Sequence, residues 1–501
     1  MNSMIEGLLI GFQVTFTLES ILFIMMGVAV GILGGAMPGI NSSITCALLL
    51  PFTYGMNPAQ ALMLLMGVYV GVEYGGAIPA ILIGTPGTPS AGATLLDGFP
   101  LRQQGKAGLA LSVSLYSSVI GNLICAVILI LFAVPVAMAA LRFGPAEYFS
   151  LGVLGLTMIA GLTEGNIPKA FLSGALGLLL STVGVDEFLG MPRFAFGSLE
   201  LGQGIEVVPV MMGIFAMGMM MHDFYKPFRM DQIKEDIKMK GLTKAEFKKI
   251  LPTSLWAGLL GTVVGALPGA GATVASYLAY NQSKQMSKHP EEYGKGCLEG
   301  IAASESANNG VTGGALIPML GLGIPGSGTA AVMLAAMIIH GIRPGPNLFL
   351  NNPEIPYGLF VAMPLATLFM FIFGKFYTRL FVKVIKLPQT MLNAAIVAIV
   401  LTGSYAVQRN IFDVYLVLAL GFLGFLMRRC KIPTTPMVLG MVLGGIVERS
   451  MRRAMSLSQG DWTVFFTRPI SGAMLALAIV MLVWSLYRVF RQKKKDHDAA
   501  A

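Results

Sequence analysis

Twice in this chain a glycine-spaced apolar run stops at a Pro-Gly pair, and each time a second Pro-Gly break follows. The first copy reads GILGGAMPG from Gly31 to Gly39, and the second GTVVGALPG from Gly261 to Gly269. Gly31, Gly35, Ala36, Pro38 and Gly39 recur as Gly261, Gly265, Ala266, Pro268 and Gly269. The later break repeats as IPAILIGTPG (Ile78 to Gly87) and IPMLGLGIPG (Ile317 to Gly326). Proline removes a backbone donor and clashes with the preceding turn, while glycine admits left-handed geometry. At membrane depth such backbone is tolerated only when it is buried in protein or lines a watery cavity. Paired interrupted segments in two halves of a membrane chain point to a transporter's substrate site.

Composition places the chain in a bilayer. Of its 501 residues 55% are hydrophobic and only 12% charged, with mean hydropathy +0.73. A soluble domain carries about 25% charged residues. The apolar stretches Ile21–Ala36, Ala61–Gly84, Leu109–Leu141, Pro209–Met221, Tyr357–Phe373 and Ile470–Phe490 are continuous. Strands of an outer-membrane barrel would alternate polar and apolar residues instead. At about 20 residues per crossing, the expected fold is an all-α polytopic membrane protein of about 12 transmembrane helices. It would hold two inverted-topology repeats with Pro-Gly-broken helices or re-entrant hairpins. Residues 1–222 read as the first membrane repeat and 223–252 as a cytosolic linker. Residues 253–450 read as the second repeat, and 451–501 as a final span with a basic cytosolic tail.

The net charge of +9 does not indicate nucleic acid, because no Lys or Arg occurs before Arg102. The later basic residues gather in clusters at Lys226–Lys249, Arg428–Lys431, Arg449–Arg453 and Arg488–Lys495. By the positive-inside rule the linker and the tail are cytosolic and the N-terminus is periplasmic. The two repeats are then entered from opposite faces. The clusters at Arg428–Lys431 and Arg449–Arg453 flank only Ile432–Glu448, so if that stretch spans, one of them faces outward against the rule. Within the linker, Thr243 and Glu246 have capping-box spacing and predict a short helix. The N-terminus lacks the positive flank of a signal peptide, so the first helix is expected to serve as its own insertion signal.

Each Pro-Gly site is followed by small polar residues: Asn41, Ser42, Ser43 and Thr45; Thr88, Ser90 and Thr94; Thr273 and Ser276; Ser327 and Thr329. Hydroxyls and free N–H groups at a helix N-terminus, with its positive dipole end, suit a carboxylate. Small residues also permit close helix packing, which is the competing reading. The candidate substrate set is Pro38, Gly39, Asn41, Ser42, Ser43, Thr85, Pro86, Gly87, Thr88, Pro268, Gly269, Pro325, Gly326 and Ser327. In the stretch Gly296–Gly314, Glu305, Asn308 and Asn309 are read as sharing a helix face. With Glu73 they form the candidate coupling-ion set: their oxygens suit Na⁺, or Glu305 carries a proton. The alternative is an interfacial loop. Asp97-Gly98 reads as a turn at a membrane exit, with a gate as the alternative. GTPGTP and GAGAT lack the Gly-Lys-Ser/Thr of a phosphate loop.

Four cysteines (Cys46, Cys125, Cys297, Cys430) and four histidines (His222, His289, His340, His497) form neither a disulfide framework nor a metal pattern. No cofactor is expected other than Na⁺ as a coupling ion. No nucleophile–base or metal pair sits at membrane depth, so no catalytic residue is assigned and the chain is not read as an enzyme.

On these residues the chain resembles the large membrane subunit of the tripartite tricarboxylate transporters, the TctA family. The matching motifs are GGAMPG, YGG with GTPGTPSAGATLLDG, ALPGAGA, ESANNG and GGALIPMLGLGIPGSGTAA, in order within residues 20–345. The resemblance implies a multi-pass protein of the bacterial inner (cytoplasmic) membrane. It implies symport of a citrate-like di- or tricarboxylate with Na⁺ or H⁺, without an ATPase. The implied partners are a small four-helix membrane subunit and a periplasmic solute-binding protein. The family motif positions here are Pro38-Gly39, Thr85 to Thr88, Thr94, Asp97-Gly98, Pro268-Gly269, Glu305, Asn308-Asn309 and Pro325-Gly326. Glu73 stands outside the clear pattern. The alternatives are a standalone organic-anion symporter, a membrane-embedded enzyme and an anion channel.

Overall fold

A computed structural model describes residues 4–37, 40–162, 167–186, 188–223, 239, 241–269, 271–376 and 389–483. The chain is overwhelmingly helical, as its continuous apolar runs require. The first half comprises α1 (Met4–Thr15), α2 (Leu18–Ala36), α3 (Ser42–Leu49), α4 (Pro58–Gly75), α5 (Ala77–Ile83), α6 (Ala91–Gln103) and α7 (Ala107–Ala140). Next come α8 (Pro145–Leu162), α9 (Ile167–Ser181) and α10 (Leu199–Gly202). α11 (Val207–Met211) passes through a π turn into α12 (Gly218–Asp223). The second half comprises α13 (Lys244–Ala266), α14 (Gly271–Met286), α15 (Leu298–Leu322), α16 (Gly328–Ile339), α17 (Leu348–Asn351) and α18 (Glu354–Phe376). The chain continues through α19 (Gln389–Gln408), α20 (Ile411–Arg429), α21 (Thr435–Leu457) and α22 (Val464–Thr467). Among the described residues, six helices are long and apolar enough to cross a membrane, alongside several shorter apolar helices. The Pro-Gly breaks divide what the sequence suggests as further full spans.

Two boundaries expected from sequence fall inside helices. Thr243 and Glu246 do form a reciprocal capping box, with Glu246 N–H to Thr243 Oγ1 at 3.3 Å and Thr243 N–H to Glu246 Oε2 at 2.8 Å. The helix it opens is α13 itself, so the short linker helix is the first turns of a membrane helix. Pro252 does not end it: α13 carries this proline in its interior and runs on to Ala266. Residue 450 likewise lies within α21.

Glycine spacing explains the core. A Cβ at Gly27, Gly31 or Gly35 of α2 would strike the carbonyl of Leu64, Val68 or Val72 in α4. One at Gly67, Gly71 or Gly75 of α4 would strike the carbonyl of Ile24, Val28 or Ile32 in α2. The two helices therefore run in the same direction at backbone contact, the small-residue packing that membranes favour. In the second half, Gly261 and Gly265 of α13 face the carbonyls of Ala307 and Val311. Gly310 and Gly314 of α15 face those of Gly258 and Thr262. The long helix after each pair packs on the other pair. α7 lies against α15, with Gly121 on the Ser306 carbonyl, and α18 lies against α4 and α2.

Contacts at the ends of these elements define two faces. Gln104, just past α6, donates to the Lys295 carbonyl at 2.7 Å, so α6 ends on the face where α13 and α15 begin. Gly345, past α16, donates its N–H to the Leu320 carbonyl at 2.9 Å, so α16 ends at the far end of α15. α21 runs alongside α9 in the same direction. Lys169 donates to the Cys430 carbonyl, Ser173 to that of Pro433, and Gly177 abuts Met437. The clusters at Arg428–Lys431 and Arg449–Arg453 consequently lie at opposite ends of this helix pair. At the second end Arg452 contacts Asp186 at 2.9 Å and Glu448 at 3.0 Å, and Arg193 contacts Glu448 at 2.6 Å. The Phe188 N–H, with that of Leu189 and the two arginines, holds the Asp186 carboxyl below its usual range. Arg452 of that basic cluster is thus paired with carboxylates.

Candidate functional site

The breaks bring helix N-termini together. Asn41 Oδ1 accepts the Ile44 N–H at 2.9 Å and caps α3, while Ser327 Oγ accepts the Ala330 N–H at 3.1 Å and caps α16. Ser90 precedes α6, and α14 begins at Gly271. The helices before the later breaks end at Gly84 (φ 68°) and Gly323 (φ 74°), both in the left-handed region that glycine tolerates. Two residues past each proline-bearing turn's start, the chain folds back onto its own half. The Gly87 N–H bonds the Gly76 carbonyl at 3.1 Å, and the Gly326 N–H bonds the Ala315 carbonyl at 3.4 Å. A side chain at Gly87 would collide with the Gly35 carbonyl, and one at Gly326 with the Gly265 carbonyl. The Gly269 N–H bonds the Gly326 carbonyl at 3.1 Å, tying the two breaks of the second half together.

Between these tips lies a cavity of about 230 Å³. Asn41, Ser42 and Ser43 line it from the start of α3, and Tyr69 and Glu73 from α4. Thr88, Pro89 and Ser90 line it ahead of α6, Gly269, Gly271 and Thr273 at α14, Ser327 and Thr329 at α16, and Thr435 at α21. Hydroxyls stitch the halves across it. Tyr69 Oη pairs with Ser327 Oγ at 2.9 Å, and Thr329 Oγ1 donates to Ser42 Oγ at 2.9 Å. Ser42 Oγ donates to Glu73 Oε1 at 2.7 Å, and Ser90 Oγ to Glu73 Oε2 at 3.4 Å. No lysine or arginine is among the lining residues. An anion placed here would meet hydroxyls and the positive ends of four helices.

Of the candidate substrate set, Asn41, Ser42, Ser43, Thr88, Gly269 and Ser327 line the cavity. Thr85, Pro86, Gly87, Pro268, Pro325 and Gly326 are not among its lining residues and form the turns. Pro38 and Gly39 lie outside the described residues. Ser90, Thr273 and Thr329, noted above only as polar neighbours of the breaks, line the cavity too. Sequence reasoning missed Tyr69 and Thr435. Tyr69 had one available signal, its place one helical turn before Glu73. Thr435 had the polar break Pro433-Thr434-Thr435-Pro436 between apolar runs.

The coupling-ion set divides. Residues 298–322 form one helix, so Glu305, Asn308 and Asn309 are inside α15 and not in an interfacial loop. Asn308 Nδ2 donates to the Glu73 carbonyl at 2.8 Å, at the cavity wall. Glu305 and Asn309 point elsewhere, because successive helical residues diverge by about 100° and only positions four apart nearly coincide. The Glu305 carboxylate accepts the hydroxyls of Thr94 and, at 3.0 Å, of Ser118. Asn309 Nδ2 donates to Ser118 Oγ at 2.9 Å, and Asn309 Oδ1 accepts from Asn122 at 3.0 Å. The expected common face is therefore two faces.

Asp97 also differs from its expected turn. It is fully buried inside α6, and its Oδ1 accepts the N–H groups of Gly294 at 2.8 Å, Gly296 at 2.9 Å and Cys297 at 2.8 Å. It thereby anchors the first half's tip helix to the start of α15. Among the described residues no group of three His, Cys, Asp or Glu is placed to hold a metal.

The profile of the tripartite tricarboxylate transporter TctA family matches residues 21–439. An Agrobacterium vitis protein described as an uncharacterized 52.8 kDa protein in the TAR-I ttuC' 3' region is 37% identical over 494 residues, 99% of this chain and 98% of that protein. A second Agrobacterium vitis protein, described as uncharacterized in the TAR-II ttuC' 3' region, is 38% identical over 234 residues, 47% of this chain and 97% of its own length. No solved structure matches.

Proposed function

The chain belongs to the tripartite tricarboxylate transporter TctA family, a family of membrane transport components and not of enzymes, and we propose from that premise that it imports a citrate-like di- or tricarboxylate together with Na⁺ or H⁺. The observation that carries this reading is the cavity where helix N-termini from both halves meet around hydroxyls and no cationic side chain. Backbone N–H groups hold a carboxylate at modest strength, which suits a carrier that must release its cargo. Glu73 in the cavity wall repels a multivalent anion unless a proton or metal cation compensates it, since like charges in one low-dielectric site disfavour each other. That repulsion supports the cation-coupled reading.

Two inverted-topology repeats are part of the proposal. Support comes from the matched glycine contacts of α2 with α4 and of α13 with α15, and from α6 and α16 ending at opposite ends of α15. With the linker and tail in the cytosol of a bacterial inner membrane, α2 and α13 enter from opposite sides. A periplasmic binding protein would deliver the anion to the face bearing Arg193 and Arg452, and the small membrane subunit would complete the assembly. Counterflow of labelled di- and tricarboxylates in proteoliposomes, with the cognate partners and with or without Na⁺, tests the reading. Saturable, cation-dependent exchange is expected. Flux that only follows the anion's own gradient would establish a channel instead, and full exchange without a binding protein would establish a standalone symporter.

A further inference from the structure

Two polar clusters flank α15, and each holds a buried oxygen without a partner. In the first, both oxygens of the Glu305 carboxylate receive hydroxyls and both ends of the Asn309 amide are bonded, while Asn122 Oδ1 is unpaired. In the second, Asn308 and Thr312 stand one turn apart, 1% and 0% exposed. Asn308 spends its Nδ2 on the Glu73 carbonyl, while Asn308 Oδ1 and Thr312 Oγ1 have no hydrogen-bond partner. Buried oxygens rarely stay unpaired.

Thr312 had a local remedy that it does not take. A helical threonine commonly donates its hydroxyl to the carbonyl four residues back. Thr45, Thr262 and Thr367 of this protein do so, bonding the carbonyls of Asn41, Gly258 and Met363. Thr312 leaves its oxygen free, on the helix face that Asn308 turns toward Glu73. Two neutral oxygens beside a single carboxylate suit a monovalent cation. A divalent ion would call for more oxygen ligands and more carboxylate charge, and a proton needs only one acceptor.

We propose that Asn308 Oδ1 and Thr312 Oγ1 coordinate Na⁺ between α15 and α4, with the Glu73 carboxylate as the compensating charge in the cavity wall. This rests on the transport reading above and deepens it: the cation would sit behind the cavity wall, on the α15 side of Glu73, where it offsets the repulsion between Glu73 and an anionic substrate. Thr312 is the residue that neither the motif spacing nor the resemblance assigns. Glu305, both of whose carboxylate oxygens already receive hydroxyls, is then a packing and positioning group and not the Na⁺ ligand.

The test is ²²Na⁺ binding to the purified full-length protein in nanodiscs, by scintillation proximity with choline as the replacing cation and citrate as the anion probe. Wild-type protein should bind Na⁺ saturably and more tightly when citrate is present. Thr312→Val should raise the half-saturating Na⁺ concentration at least tenfold, while Thr312→Ser should restore it. Thr262→Val, which removes a back-bonded hydroxyl elsewhere, should leave it unchanged. If Thr312→Val fails to fold, the wild-type isotherm and Thr312→Ser still decide, because wild-type protein that binds no Na⁺ overturns the proposal. Equal Na⁺ affinity in wild type and a folded Thr312→Val also overturns it. Citrate uptake driven by a pH gradient alone, with no Na⁺ bound, would sink the Na⁺ site and leave the transport reading standing. Saturable Na⁺ binding without carboxylate flux under either gradient would support the site and sink that reading.

Discussion

In the first half, the carbonyl of Gly35 fills the space beside Gly87. In the second, the carbonyl of Gly265 fills the space beside Gly326. Gly84 and Gly323 end the preceding helices with nearly the same positive φ, and the chain then folds back to Gly76 in one half and Ala315 in the other. Along this shared register, Glu73 stands where the second half has Thr312, Tyr69 where it has Asn308, and Met66 where it has Glu305. The backbone device is duplicated and the charges are not. The repeated breaks supply converging helix ends, and the unmatched residues give the cavity one carboxylate and the α15 face beside α4 one unpaired pair of oxygens.

The sharpest way to break the comparison is to damage the two matched breaks equally. Gly87→Val and Gly326→Val each push a side chain into a carbonyl, and overpacking of this kind costs about 1–3 kcal/mol. Uptake in proteoliposomes should fall by roughly 100-fold in both, at the upper end of that cost, since about 1.4 kcal/mol is tenfold. Loss in only one of them would show that the breaks are not equivalent. The unmatched charges come next. Glu73→Gln should lower uptake by about 30-fold, a cost of about 2 kcal/mol at the same conversion, and flatten its dependence on cation concentration. An unchanged cation dependence would remove Glu73 from coupling. The smallest effect should come from the paired hydroxyls. Ser327→Ala removes both the α16 cap and the Tyr69 contact and should raise the half-saturating citrate concentration about fivefold, a cap being worth about 1 kcal/mol. Thr88→Ala, which loses only a bond to Ser90, should raise it about twofold. Reversal of that order would mean that the first half holds more of the anion.

Much of this was legible in sequence because membranes make breaks expensive. Pro-Gly pairs inside apolar runs marked the turns that build the cavity, and the polar residues after them marked most of its lining. What sequence could not show is which way a helical side chain turns. Asn308 and Asn309 are neighbours in the chain and belong to different clusters, and Asp97-Gly98 has the composition of a turn yet continues α6. Asp97 stays helical because its carboxylate finds three N–H groups on a loop nearly two hundred residues away, a tertiary contact that overrides local preference. Tyr69 and Thr435 escaped because an apolar helix hides its one inward-facing hydroxyl, and α21 reaches the site from outside both glycine-paired halves.

Protection of engineered cysteines by substrate tests the cavity most directly. Cys46, Cys125 and Cys297 are buried and Cys430 is exposed, so a Cys430→Ser background leaves little competing reactivity. Ser43→Cys and Thr273→Cys would place one thiol from each half in the cavity wall. If the anion binds where the helix ends converge, citrate with Na⁺ should slow labelling of both by an anionic thiol reagent. Labelling of both at undiminished rates, in protein that still takes up citrate, would place the anion elsewhere.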